Sequence, residues 1–260
     1  MWKTSKLSDK PRILAFLETD RLYAGYSVAD LEPGMFEQCA WAGAEAGGRL
    51  GALAVLFRGL SPPALLMIGE NEGLRAIFRC ELCPKRAYLT CRPEHLSMSR
   101  EFYRWDETMS MWRMVLRSGR FPGAEGNCIR LVPHQAGQIT ELYTLGGGVA
   151  FSPEQIERGV FYGILEHDRL IAVAGTHVIS PTYGVAAVGN VFTHPAHRGR
   201  GFGTSTTSSV VSELLEHGIR DIILNVSQSN AAAIRIYERL GFERYCPFLE
   251  GPASARKSSE

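Results

Sequence analysis

Apolar spacing along the chain predicts two successive runs of strands and helices. In the first run, PRILAFLETDRLYAGYSVADLEP has helical spacing and ends in a loop at Pro33-Gly34. LGALAVLFRG and PALLMIG predict buried strands, and NEGLRAIFRCEL predicts a helix capped by Asn71. RAYLTC and TMSMWRMVLRS predict two more strands. The stretch SGRFPGAEGN at 118–127 is rich in turn residues and is the best linker, so a domain boundary is expected there, with domains at 1–125 and 126–260. Beyond it, CIRLVP predicts a short strand, and SPEQIERGVFYGIL begins a helix with Ser152 as cap and Pro153 in its first turn. RLIAVAGTHVIS and YGVAAVGNVFTHP flank a turn at 180–184 and predict an antiparallel hairpin. Then come a helix to about His217 ended by Gly218, the strand DIILNV, a helix from Asn230 to Leu240 ended by Gly241, and a last strand near RYCPFLE. The fold class is α/β (α+β), with a mixed sheet.

Composition narrows the function. Apolar residues at 45% and charged residues at 21% are enough for each half to bury a core. Lys plus Arg is 28 against 27 for Asp plus Glu, so no global field draws in nucleic acid or an anionic membrane, and a small-molecule partner is expected. No stretch approaches the roughly 20 apolar residues of a spanning helix, and no apolar run follows the N-terminal lysines. The six cysteines are too few for a disulfide scaffold, and Cys80, Cys83 and Cys91 lack a fourth ligand at metal spacing. A soluble, unprocessed cytoplasmic protein with no metal is expected.

The densest chemistry lies where the second hairpin strand meets a helix. Arg198, Gly199, Arg200, Gly201, Phe202, Gly203 and Thr204 form a turn whose glycines let successive backbone N–H groups converge at a helix N-terminus. Such a turn is a cradle for a pyrophosphate, to which Arg198 and Arg200 can add charge-assisted contacts. A plain surface turn is the other reading. The spacing matches neither a Gly-x-x-x-x-Gly-Lys loop nor Gly-x-Gly-x-x-Gly.

The Arg-x-x-Gly-x-Gly pattern, following a strand that ends Val191-Phe192-Thr193-His194-Pro195, resembles motif A of the GNAT superfamily of acyl-CoA N-acyltransferases. Downstream, the stretch from Asn230 through Ala233 and Tyr237 to Gly241-Phe242 looks like the second signature of that family. The wording AGTHVIS and VAAVGNVFTHP is similar to the glycine N-acyltransferase-like branch, in which a degenerate N-terminal repeat precedes the active domain. The resemblance implies a tandem GNAT-like fold with largely antiparallel sheets flanked by helices. It also implies acetyl-CoA, or another short acyl-CoA, as co-substrate. By the same resemblance, the backbone of Val191, Phe192 and Thr193 pairs with the pantetheine arm, residues 198–204 hold the pyrophosphate, Asn230 contacts the pantetheine and Tyr237 faces the thioester sulfur. Independently of it, Asn230 is a good helix cap, Tyr237 could be a core aromatic, and the two lie two turns apart, about 10 Å along one helix face.

Transfer from a thioester to an amine needs an oxyanion site and a proton for the leaving thiolate. Backbone N–H groups near Phe192 and Thr193 can serve the first. Tyr237 is the candidate catalytic donor, since a phenol near 10 and a thiolate near 8.5 differ by roughly 2 kcal/mol. Many GNAT enzymes carry a carboxylate base on the strand where this chain has Val188-Gly189-Asn190, and here none is present. The expected acceptor is then a primary amine of low basicity, an α-amino group on a small molecule or a peptide N-terminus, with Asn190-held water or His177 in reach; Glu141 and Glu166 are the alternative bases. A non-catalytic acyl-CoA sensor is the competing function. The first half reads as a degenerate repeat in which Glu70 and Glu72 stand where the cradle would be, either a scaffold for the acceptor cleft or a separate binding module.

Overall fold

The computed structural model describes residues 1–116, 119–124, 126–146 and 151–256. The end of TMSMWRMVLRS, and residues 118 and 125 of the linker, lie outside the described residues. Two compact units are present. The first comprises Met1–Trp112, Ser227–Ser229 and the chain from Cys246; the second comprises Arg113–Val226 and Asn230–Tyr245.

The first unit contains β1 (Lys3–Lys6), α1 (Lys10–Leu17), α2 (Gly25–Ala29), β2 (Cys39–Ala46), β3 (Arg49–Phe57), β4 (Ala64–Gly69), α3 (Asn71–Cys80), β5 (Arg86–Cys91), α4 (Leu96–Phe102) and β6 (Tyr103–Trp105), and the start of β7 (Met109–Leu116). The second holds β8 (Ile129–Arg130), α5 (Ala136–Thr144), α6 (Glu154–Arg158), β9 (Phe161–Glu166), β10 (Arg169–Ser180), β11 (Val185–Thr193), α7 (Phe202–Glu216), nearly all of β12 (Asp221–Ser227) and α8 (Ala231–Arg239). β13 (Phe242–Ala255) begins in the second unit and ends in the first.

The strand order in the first unit is β1-β2-β3-β4-β5-β13. In the second it is β12-β11-β10-β9-β8. Within each unit these strands pair antiparallel apart from one parallel pair joined through a helix: β4–α3–β5, in register from Ala64↔Tyr88 to Leu66↔Thr90, and β11–α7–β12, from Val185↔Asp221 to Val188↔Leu224. Parallel neighbours need such a crossover. Both units thus repeat one topology, the mixed and largely antiparallel arrangement expected.

The helices sit close to their sheets because the sequence supplies small residues at the contacts. On α3, Leu74, Ile77 and Phe78 follow i, i+3, i+4 spacing and are buried against a floor that includes Ala42, Ala44, Ala52 and Ala54. Burying each of the three is worth about 1.5–3 kcal/mol. A β-carbon on Gly73 would come within 2.6 Å of the Ala52 methyl. On α7 the buried face is built from Thr206, Thr207, Ser208, Ser209, Val210 and Val211. Three of its hydroxyls are absorbed by the helix backbone, Thr206 donating to Phe202 O at 3.0 Å, Ser208 to Ser205 O at 2.9 Å and Ser209 to the same oxygen at 3.0 Å, whereas that of Thr207 is buried without a partner among the described residues.

Two expected caps are corrected. Glu70, not Asn71, occupies the cap of α3, because the Asn71 amide is engaged by His95 and the Glu94 carbonyl. Pro153 takes the cap position of α6, while the Ser152 hydroxyl turns to the Glu154 carboxylate at 2.5 Å.

Candidate functional site

The site is built around an interruption in β11. Pairing with β10 runs from Ser180↔Val185 to Gly175↔Gly189 and resumes at Val173↔Phe192, so β11 carries one extra residue at Asn190–Val191. Asn190 takes a left-handed φ of 54° there. A second bulge lies across the ladder, where His177 is the extra residue of β10 between Thr176↔Val188 and Val178↔Ala187. Bulges of this kind bend a strand and re-aim its side chains. Because registered pairing with β12 stops at Val188↔Leu224, β11 from Gly189 to Thr193 has its registered partner on the β10 side. The bulge is pinned by Tyr143 of α5, whose hydroxyl donates to Asn190 O at 2.6 Å.

Past β11 the chain turns through Pro195–His197, with the His194 ring capping the turn by accepting from Ala196 N at 3.1 Å. Gly199 and Gly201 have φ of 78° and 85°, and β-carbons there would meet open space. Gly201 caps α7, so the first N–H groups of that helix, on Phe202 and Gly203, face outward without intrahelical partners. Thr204 N is already bonded to Gly201 O at 2.9 Å. The two arginines are held differently. Arg198 Nε donates to Thr193 O at 3.2 Å, with its guanidinium 5.6 Å from the Phe192 ring centroid. Arg200 lies 4.7 Å from the Phe202 centroid, within 3.4 Å of Glu166 and 3.1 Å of His197 Nδ1. Glu166 is thereby occupied beside the cradle, and Glu141 stands exposed on α5.

α8 brings in the remaining residues. Asn230 is its cap, with Oδ1 accepting from Ala233 N at 3.1 Å. Tyr237 is buried at 7% exposure, edge-on to Phe242 at 6.1 Å. Its hydroxyl has no hydrogen-bond partner among the described residues, and burial pushes the phenol up to about 12. A β-carbon on Gly203 would sit 3.4 Å from Thr193 Oγ1 and 3.9 Å from Ile236 Cδ1, so the start of α7, the end of β11 and α8 converge on one groove.

Asn190 and His177, the residues in reach where a carboxylate base is missing, are brought together. Both amide atoms of Asn190 are buried without a hydrogen-bond partner. The amide nevertheless lies near enough to His177 to favour its charged form, an effect outweighed by burial, which together with the charge of Arg113 lowers the imidazole to about 4. Gly189, the last registered residue before the β11 bulge, lies against that ring. Arg113 and Tyr143 were not singled out from the sequence. Tyr143 could have been found, since Ile139, Leu142 and Tyr143 have the i, i+3, i+4 spacing of a buried helix face.

Among the described residues no group of His, Cys, Asp and Glu could hold a metal ion, and no helix is long and apolar enough to cross a membrane. Cys80 and Cys83 are exposed and free, while Cys91 is buried.

Residues 134–242 match the family described as Acetyltransferase (GNAT) family. The [Ribosomal protein bS18]-alanine N-acetyltransferase of Escherichia coli K12 is 30% identical over 111 residues, 40% of this chain and 73% of that one. A mycothiol acetyltransferase of Streptosporangium roseum is 41% identical over 66 residues, so the chain spans 20% of that protein's length while using 24% of its own. Among solved structures, a tandem GNAT protein from the clavulanic acid biosynthesis pathway superposes over 100% of both chains with a TM-score of 0.59 at 15% identity, a likeness of fold. The chain belongs to the GNAT acetyltransferase family.

Proposed function

We propose that the second unit is an acetyl-CoA-dependent N-acetyltransferase acting on an α-amino group of a small molecule or a peptide N-terminus. The observation that carries this reading is the half-paired segment of β11 leading directly into an open glycine turn at a helix start. The residues fit acetyl-CoA on two counts. Open space at Gly199 and Gly201, beside outward N–H groups of Phe202 and Gly203, suits a diphosphate. The unpaired side of Val191, Phe192 and Thr193 suits an extended chain of amides added as a strand. Arg198, Arg200 and Thr204 would complete the diphosphate contacts, and Asn230 would meet the pantetheine. The six free thiols suit a reducing compartment, and we place the protein in the cytoplasm.

Acetyl-CoA, when bound, supplies a thioester whose carbonyl carbon takes the amine nitrogen and whose thiolate leaves. Tyr237 holds the proton that this thiolate needs. With the phenol near 12 the donation to a thiol near 8.5 is uphill by about 5 kcal/mol in reference terms, so it occurs only as the carbon–sulfur bond breaks and the sulfur gains charge. Backbone N–H groups at the β11 bulge face the developing oxyanion.

The acceptor assignment follows from the weakness of the base site. A histidine near 4 cannot hold a proton drawn from an ammonium, and Asn190 can orient water but not take a proton from it. An α-amine near 8 reaches its neutral form at pH 7 for about 1.4 kcal/mol, a lysine near 10.4 only for about 4.6. The relative named as an alanine N-acetyltransferase and the wording shared with glycine N-acyltransferases support the same choice. The test is thiol release from acetyl-CoA with free amino acids, an N-terminally free peptide and α-blocked lysine. Free α-amines should react faster at neutral pH; faster reaction of blocked lysine overturns the acceptor assignment, and no release with any amine overturns the enzyme in favour of a sensor.

A further inference from the structure

The first unit contains a cleft of about 710 Å³ at the mouth of its own parallel pair, within the range of small-molecule sites. β4 runs on beyond its last registered pair with β5, Leu66↔Thr90, to Gly69, and α3 starts at Asn71. This is the topological equivalent of the groove in the second unit, but its contents are different. Just past the point where β4 and β5 part, the buried Tyr23 closes off the strand by donating to Met67 O at 3.5 Å. Arg92 covers the Tyr23 ring at 4.5 Å and is itself paired with Asp20. The slot that an extended pantetheine would enter is filled by protein.

What remains is a cleft of balanced charge. Three arginines, Arg12, Arg49 and Arg92, line it together with three carboxylates, Asp20, Glu70 and Glu94, so the formal sum is zero. A polyphosphate would face the carboxylates and a polyamine the arginines. The rim pair Arg49–Glu70 has side chains 75% and 53% exposed, and a pair that open contributes little and can exchange partners with a ligand. Phe16, Leu50 and Ile68 give the cleft an apolar floor.

Inside it lies an unpartnered acceptor on a largely buried ring. His95 is 5% exposed, with Nδ1 2.8 Å from Asn71 Oδ1. Asn71 Nδ2 donates to Glu94 O at 3.1 Å, which fixes the amide so that its oxygen faces the imidazole. His95 must then carry its hydrogen on Nδ1 and present a lone pair on Nε2, for which no donor exists among the described residues. Burial holds the ring below the ordinary histidine range, so this is the resting form at neutral pH. An acceptor without a protein donor that opens onto the cleft is met there by water or by the N–H of a ligand.

We propose that this cleft binds a small apolar zwitterion of the amino-acid or dipeptide class. Its ammonium donates to His95 Nε2 beside Glu94, its carboxylate pairs with Arg49, and its side chain rests on the apolar floor. A site for such a ligand would let the first unit sense the class of compound proposed as acceptor for the second, without chemistry of its own.

The experiment is calorimetric titration of the full chain with L-leucine, N-acetyl-L-leucine, L-leucine amide and acetyl-CoA. Leucine should bind, and removal of either charge should weaken it by roughly tenfold or more. His95→Phe and the surface variant Glu94→Gln should each weaken leucine by a similar factor while acetyl-CoA affinity stays constant, which reports an intact second unit. Tyr237→Phe should leave leucine binding unchanged. Leucine binding that survives both first-unit variants, equal binding of the charge-blocked forms, or no leucine binding at all overturns the proposal. So does a second acetyl-CoA per chain that Arg49→Ala removes.

Discussion

The imidazole of His177 lies over Gly189, close enough that a β-carbon at position 189 would come within 2.3 Å of its Nε2 and 2.4 Å of its Cε1. The bulge at His177 on β10 therefore depends on the missing side chain of Gly189 on β11.

Gly189→Ala should destabilise the protein by about 1–3 kcal/mol, the usual cost of overpacking a well-filled site. In a His177→Ala background the same change should be nearly neutral, because the clash has gone. Urea midpoints of the four proteins in this cycle measure the coupling. Additive effects would show that the ring moves aside freely.

Tyr237→Phe should lower kcat by roughly 100-fold while leaving acetyl-CoA affinity unchanged, since it removes a proton donor and keeps the ring against Phe242. With the phenol held near 12, the wild-type rate should show no alkaline loss from this group until the pH approaches that value. A variant that turns over normally would leave Tyr237 as a core aromatic.

Gly203→Val should fold normally and bind acetyl-CoA at least about tenfold more weakly. The β-carbon would make ordinary contacts with Thr193 and Ile236, so the fold tolerates it, but the larger side chain fills the groove where β11, α7 and α8 meet. Calorimetry should give one acetyl-CoA per wild-type chain, and undiminished binding by the variant would move the site elsewhere.

Mild acid should act on the two units in opposite directions. Asp30, buried in the first unit, has its carboxyl raised to about 7, so the folded state holds a proton that the unfolded chain releases above about 4. Its contribution to stability, about 4 kcal/mol at most, is present below about pH 4 and lost as pH rises through 7. His177 is depressed to about 4, so its contribution of about 3 kcal/mol is present above about pH 6.5 and lost as pH falls through 4. Asp30→Asn should stabilise at about pH 7.5 and do little at about pH 4.5. His177→Gln should be the better tolerated at the lower pH. Urea titrations at both values read the two effects, and a pH-independent effect of either variant would refute the linkage for that residue.

The glycine turn at 199–203, the β10–β11 hairpin and the Asn230 cap could be read from the sequence because each is a local device, with the required residue at the position it serves. The β11 bulge could not. It depends on Tyr143, 47 residues away, meeting the Asn190 carbonyl. The cap of α3 was misread for the same reason, since an amide free to cap in isolation is drawn off by His95, 24 residues on. β2, with the sequence CAWAGAEA, carries too few branched residues to be recognised as a strand, although its small side chains are what let α3 pack against it. The last strand was expected near RYCPFLE and continues to Ala255, because its second half finds its partner in β5.

That pairing has a consequence for how the protein is made. Residues 249–254 cover the edge of β5 at residues 86–91, and all of the second unit is translated between them. A chain emerging from the ribosome thus exposes the bare edge of β5 throughout synthesis of the second unit, which can close on itself as soon as Tyr245 has emerged. The part of the molecule made first is completed last, the reverse of the N-to-C order in which successive domains usually mature. During that interval the open edge is a place for mispairing between neighbouring nascent chains.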